Sequence, residues 1–388
     1  MNPSGGMRGL SMPMEIGGVD GAKIHNVGMS GRASLTYRLH QTLESSLVLH
    51  GLLESPSGTP IIFRVVLSIT YGRRAASLDD ELVKQNYRSI LEFQRANTPG
   101  KYLVEAWPFF SGFLALSNGF VTTLIAYALK IPNLYNAFAR GETEDGCGHR
   151  QRVHLFTQPR HAADLGFSEV ELAYAVSAPF GAGIDTTVGS VEVFLSGRSG
   201  RTTIPRATRK AQEELDRVVG RDRLPTFDDD DTLPYLGAFV KEVTRWRPIA
   251  PFVARAVTRD DTYEGYFIPK DTSCDDEGPE MFPEPEVFRP ERFLNTTGPR
   301  FADFTLPFGF GRRSIYILVA RVLWAFDVEP VRDEQGRAVL PDPDAFRFMG
   351  LSRVPEPFRF TLRPRARDVV RIIEAETAEA EERLKEWD

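Results

Sequence analysis

The chain has 388 residues, 42% hydrophobic and 26% charged, with a net charge of -6. That length holds one large domain or two average ones, and the composition is that of a globular protein with a buried core. The acidic balance gives no reason to expect a nucleic-acid partner. Two cysteines, Cys147 and Cys274, cannot build a disulfide framework, which points to a reducing, cytoplasmic compartment.

Residues 1–31 are rich in Gly, Met and Ser and lack the apolar centre of a signal peptide, so they read as a poorly ordered leader. Leu35, Leu39, Leu43, Leu47 and the run to Leu53 recur at helical spacing and predict a first helix. The run 61–71 reads as a strand or a buried helix. A capped helix follows over 78–94, and 100–108 reads as a connection. From 111 to 166 no clean period survives. Within that segment, 113–131 is the one membrane candidate. Ser117, Asn118, Thr122 and Thr123 cut its apolar runs far below the roughly 20 residues a span requires, so a buried or irregular segment is expected.

A helix is predicted over 168–195, capped by Ser168 and carrying Pro179 and small residues in its middle. Charged amphipathic helices follow over 207–219, closed by Gly220, and over 233–246, ended by Pro248. Residues 255–269 alternate like a small sheet, with a hairpin at 263–269. A proline-rich coil over 271–295 leads to Leu306-Pro-Phe-Gly-Phe-Gly-Arg-Arg-Ser-Ile315. A helix over 315–326, alternating short strands over 328–362 and a charged helix over 366–388 complete the chain.

Three stretches carry candidate chemistry. In the first, 306–315, Gly309 and Gly311 allow close approach to a flat ligand, Phe308 and Phe310 can cover its faces, and Arg312 or Arg313 can pair with carboxylates. In the second, Ala182-Gly-Ile-Asp-Thr-Thr187 sets an acid and two hydroxyls inside an apolar helix. Asp185 there needs a partner or a task, and a small-residue packing contact is the alternative. In the third, Glu242 and Arg245 lie at i,i+3 on one helix face, which alone reads as a surface ion pair. Cys147, His149, His154 and His161 match no closed zinc spacing, so no metal site is predicted.

Together, and in this order, these stretches resemble the cytochrome P450 family. The 306–315 loop resembles its haem-binding pattern Phe-x-x-Gly-x-Arg-x-Cys-x-Gly through Phe308, Gly311 and Arg313. The 182–187 segment is similar to the oxygen-activation segment of that family. Glu242 and Arg245, with Arg292 of Pro290-Glu-Arg-Phe293, resemble its Glu-x-x-Arg and Pro-Glu-Arg-Phe signatures. Residues 241–251 and 263–269 look like fungal secondary-metabolism members of the O-methylsterigmatocystin oxidoreductase group.

The resemblance implies a mainly α P450 fold with a minor antiparallel β component, N-terminally truncated and internally abridged, over 32–365. It implies haem as cofactor, with Phe308, Gly311, Arg313 and Arg255 around it, and Asp185 and Thr186 as proton relay. Glu242, Arg245 and Arg292 would form a buried structural network. NADPH-driven insertion of oxygen into a small apolar substrate is the implied activity. The implied redox partner is an NADPH-cytochrome P450 reductase, and family members are anchored in the endoplasmic reticulum membrane, an anchor not seen in this sequence.

The departures are sharp. Ile315 stands where the pattern has its cysteine and Ile317 where it has a glycine, and good matches end abruptly after Leu195, Thr272 and Ser314. Cys147 lacks the glycine-arginine lead-in, and Cys274 lies in an acidic stretch that opposes a thiolate. A catalytically inactive remnant, a faulty gene model, or a haem-free binding protein using the apolar cavity are the alternatives to a haem-dependent monooxygenase.

Overall fold

The computed structural model describes residues 35, 37–54, 84, 88, 183, 186–197, 204–250, 255–256, 259–270, 273–274, 282–294, 312–348 and 352–385. Helix α1 spans Arg38–Glu54, α2 covers 186–197, α3 spans Ile204–Val218 and α4 spans Pro234–Trp246. Strands β1 (Arg255–Ala256), β2 (Asp261–Tyr263), β3 (Tyr266–Ile268) and β4 (Ser273–Cys274) follow. Helix α5 (Arg312–Ala325) runs directly into β5 (Phe326–Pro330). Strands β6 (Phe346–Phe348), β7 (Arg353–Pro355) and β8 (Phe360–Pro364) precede the last helix, α6 (Arg367–Leu384).

The core is built around α5. Its residues are apolar on nearly every side, and all of Ser314 to Ala325 are buried, as a helix without a polar face requires. Helices α1, α3 and α4 pack on it, and α6 lies against α1. Among the described residues the four sheets are two-stranded and antiparallel: β1 with β4, β2 with β3, β5 with β8, and β6 with β7. In the β5–β8 pair, Val328 faces Leu362, and both side chains join the core. The β2–β3 hairpin turns through Glu264 and Gly265, both at positive φ, the backbone that a two-residue hairpin requires. The described residues are thus mainly helical with a small antiparallel component.

Several local expectations change in three dimensions. The first helix does not bury its leading leucines. Leu35 and Leu39 are 45% and 42% exposed, while His40, Gln41, Glu44, Ser45 and Ser46 face inward. Leu43 and Leu47 do pack, against Ala380 and Leu384 of α6. The charged terminal helix therefore carries a buried stripe of Val369, Ile372, Ile373, Ala380 and Leu384. Helix α5 starts at Arg312, three residues before its expected start at 315, and Phe326 belongs to a strand.

The leader, 61–71, 100–108, 111–166 with its membrane candidate, and Cys147, His149, His154 and His161 lie outside the described residues, as do Asp185, Phe308 and Gly311. Of the helix expected over 78–94, residues 84 and 88 are described, both helical. Among the described residues no helix is long and apolar enough to cross a membrane, and no group of His, Cys, Asp and Glu could hold a metal ion.

Candidate functional site

Glu242 is fully buried on α4, and the fold gathers three donors around it. Arg245, one turn on, presents Nε to Glu242 Oε2 at 2.7 Å and Nη2 to Oε1 at 3.0 Å. Arg292, on the short 3-10 turn Pro290–Phe293, donates from Nε to Oε1 at 3.1 Å. The backbone N–H of Arg289 reaches the same oxygen at 2.6 Å. The side chains of Glu242, Arg245 and Arg292 are 0%, 6% and 7% exposed, so this is an interior ion network rather than a surface pair. Burial pulls the Arg292 guanidinium below its ordinary range, and the Glu242 charge works against that.

The remaining guanidinium N–H groups hold the segment before the 3-10 turn. Arg245 Nη2 donates to Pro285 O at 2.8 Å, and Arg292 donates to Pro283 O at 3.1 Å and Val287 O at 3.0 Å. Trp246 Nε1 adds a bond to Glu286 O at 2.9 Å. A charge buried at this depth is tolerated because both carboxylate oxygens accept from guanidinium donors and both arginines also bond backbone carbonyls. Arg289 could not have been read from the sequence, since its contribution is a backbone N–H that any residue but proline supplies.

From the network an edge-to-face aromatic chain runs to α2. Trp246 meets Phe288 at 5.8 Å, Phe288 meets Phe239 at 5.1 Å, and Phe239 meets Phe194 at 5.9 Å. Helix α2 approaches its neighbours closely where it lacks side chains. A Cβ on Gly189 would lie 2.8 Å from Ile249 Cδ1, and one on Gly197 only 2.2 Å from Ile204 Cδ1. Thr186 is half-buried at the start of the described part of this helix, its carbonyl accepting from Ser190 Oγ at 2.6 Å. Thr187 is buried.

Arg313 lies in the first turn of α5 and is half-buried. Burial holds its guanidinium below the ordinary range, and the nearby positive charges of Arg38 and Arg312 add to this against the pull of Asp230. Arg38 itself stands over the Phe227 ring, 5.4 Å from its centre. Arg255 is in β1, paired with Cys274 of β4, which fixes backbone register only. The structure therefore unites Glu242, Arg245 and Arg292 in one constellation and places Thr186 and Arg313 on two separate helices.

The chain's relatives agree with this architecture. A family model for cytochrome P450 matches residues 59–336. Cytochrome P450 monooxygenase 58 of Postia placenta is 31% identical over 387 residues, covering 89% of this chain and 71% of its own length. Cytochrome P450 monooxygenase aneD of Aspergillus aculeatus is 31% identical over 396 residues, covering 93% of this chain and 72% of its own length. Cytochrome P450 monooxygenase 64 of Postia placenta reaches 34% identity over 337 residues, of which this chain spans 64% of the relative's length. Among solved structures, a zebra fish cytochrome P450 with progesterone superposes with a TM-score of 0.68 at 22% identity, covering 94% of this chain and 86% of that one. The chain belongs to the cytochrome P450 family, whose cofactor is haem.

The residues present do not fit a thiolate-held haem at the family's ligand position. Position 315 carries an isoleucine, 3% exposed and part of the core cluster. An aliphatic side chain offers iron no electron pair, and the thiolate is what favours O–O cleavage in this family.

Proposed function

We propose that this chain is a haem-dependent monooxygenase of a fungal secondary-metabolite pathway. It takes a small apolar substrate and draws electrons from an NADPH-cytochrome P450 reductase. The observation that carries the reading is the buried network of Glu242, Arg245 and Arg292, a scaffold feature that the family motifs place behind the cofactor. The curated relatives from Postia placenta and Aspergillus aculeatus, each named a cytochrome P450 monooxygenase, support it. In this reading Asp185 and Thr186 move protons, Arg313 and Arg255 pair with the cofactor's carboxylates, and Phe308 and Gly311 flank its plane.

A second reading, a catalytically inactive member of the family, is favoured by one observation: the buried Ile315 at the ligand position. One experiment separates the two. The purified chain is mixed with haem, reduced and exposed to carbon monoxide. The red-shifted Soret band of thiolate ligation supports the monooxygenase. A spectrum without it, at full haem occupancy, supports the inactive scaffold.

A further inference from the structure

We propose that the junction of α1, the 3-10 turn Phe227–Thr232 and the N-terminus of α5 is an anion site for inorganic hydrogen phosphate. The inference goes beyond the proposed function, since the site is built from the chain's own side chains and needs no haem.

Charge gathers there with one sign. Helix α5 opens with Arg312 and Arg313 and has no acid in its first turn. The first N–H groups of a helix lack intrahelical acceptors and form its positive end, where cations are disfavoured and anions favoured. Helix α1 adds a third guanidinium. Burial and then the charge of Arg38 lower the Arg313 guanidinium below its ordinary range, which places the two side chains close together, and Asp230 opposes. Arg38 stands over Phe227, 5.4 Å from the ring centre, and that ring stacks on Tyr316 of α5 at 6.3 Å. Among the described residues neither Arg38 nor Arg313 has an ion-pair partner, and Arg38 Nε is buried without a hydrogen bond. Like charges collected at a positive helix end are relieved by an anion between them.

A buried amide says what that anion carries. Gln41 is 5% exposed, and its Nε2 donates to Ser314 Oγ at 2.9 Å in the first turn of α5. Gln41 Oε1 sits on the same amide carbon, so it too lies at this helix end, and it is buried with no hydrogen bond. A buried acceptor left open costs stability unless a donor reaches it. A carboxylate or a sulfate is acceptor-only at neutral pH. It would satisfy the arginines while meeting Gln41 lone pair to lone pair. Hydrogen phosphate does both jobs: its bare oxygens accept from Arg38, Arg313 and the helix N–H groups, and its P–O–H donates to Gln41 Oε1. Water fills the acceptor but leaves the charge uncompensated.

The test titrates the purified full chain with inorganic phosphate at neutral pH and constant ionic strength, following binding by calorimetry. Saturable binding is expected, with sulfate and acetate at least ~10-fold weaker, because a site that accepts a ligand hydroxyl discriminates against ligands lacking one. Arg38→Met should weaken phosphate binding at least ~10-fold by removing a charge-assisted donor. Gln41→Leu should erase the preference for phosphate over sulfate. Circular dichroism checks the fold of each variant, and the comparison of anions on the unmodified chain needs no variant at all. Absence of saturable phosphate binding there, sulfate bound as tightly as phosphate, or full affinity in folded Arg38→Met overturns the proposal. Haem enters no arm of this experiment, so its failure is distinguishable from failure of the monooxygenase reading, which is read on the haem spectrum.

Discussion

Glu242 shows how much one buried atom pair can govern. Its Oε1 accepts from Arg245, Arg292 and the Arg289 backbone, so removing the carboxylate strands two guanidinium groups in the interior. Glu242→Ala should destabilise the chain by about 3–5 kcal/mol, the cost of leaving buried charges unpaired, and urea unfolding measures it. A buried acid makes the pH-dependent counterpart. The Arg223 guanidinium, with Nη2 2.6 Å from Asp229 Oδ1, holds the Asp229 carboxyl below its ordinary value of 3.8, and the Thr226 amide adds to this while burial opposes it. A carboxyl lowered by folding stabilises the fold fully above its unfolded value and loses that contribution as pH falls through the folded one. Stability should therefore drop with pH below about 3.8, and Asp229→Asn should flatten that slope while lowering stability at neutral pH. Unfolding midpoints measured from pH 6 downward check both.

At the scale of elements, helix ends depend on residues from other helices. Helix α4 opens with Pro234, suited to a first turn, but its Leu233 cap makes no side-chain bond. The cap comes from α3. Buried Glu214 accepts from the Tyr235 N–H at 3.1 Å and from the Leu236 N–H at 2.8 Å, placing a negative charge on the positive end of the helix. Glu214→Ala should cost about 1–2 kcal/mol in unfolding free energy, the typical loss for a helix cap. The C-terminus of α5 is closed in the same way by Gln212 from α3 and by Arg365, whose Nη1 reaches Leu323 O at 3.2 Å. Periodicity located α4 within a residue, because Leu236, Phe239, Val240 and Val243 form one apolar face. It could not show the cap, since Glu214 and Leu236 are 22 residues apart and nothing in their local sequence links them.

For the molecule as a whole, α6 is a structural member and not a tail. It lies along α1, with Thr377 Oγ1 donating to Ser46 O at 3.3 Å, and it buries Val369, Ile372, Ile373 and Leu384. Each such side chain is worth about 1.5–3 kcal/mol, or on the order of 6–12 kcal/mol for the four. A domain has only about 5–15 kcal/mol to lose. Ending the chain at Arg365 should therefore abolish a cooperative thermal transition, and calorimetry would show it. The charge density of 366–388 marks it as a helix with a solvated side, and its buried stripe is too sparse for charge counting to reveal.

The amino-acid sequence by itself determined the helix-dominated class and the three motif stretches. It also determined the absence of sulfur at position 315, because residue identity and near-neighbour spacing carry all of these. Only the tertiary structure decided that the Arg289 backbone N–H completes the Glu242 centre and that Leu35 and Leu39 face outward. It alone decided that Ile315 lies inside helix α5 and is buried. Burial is set by what packs against a residue from distant parts of the chain, and local pattern does not encode that.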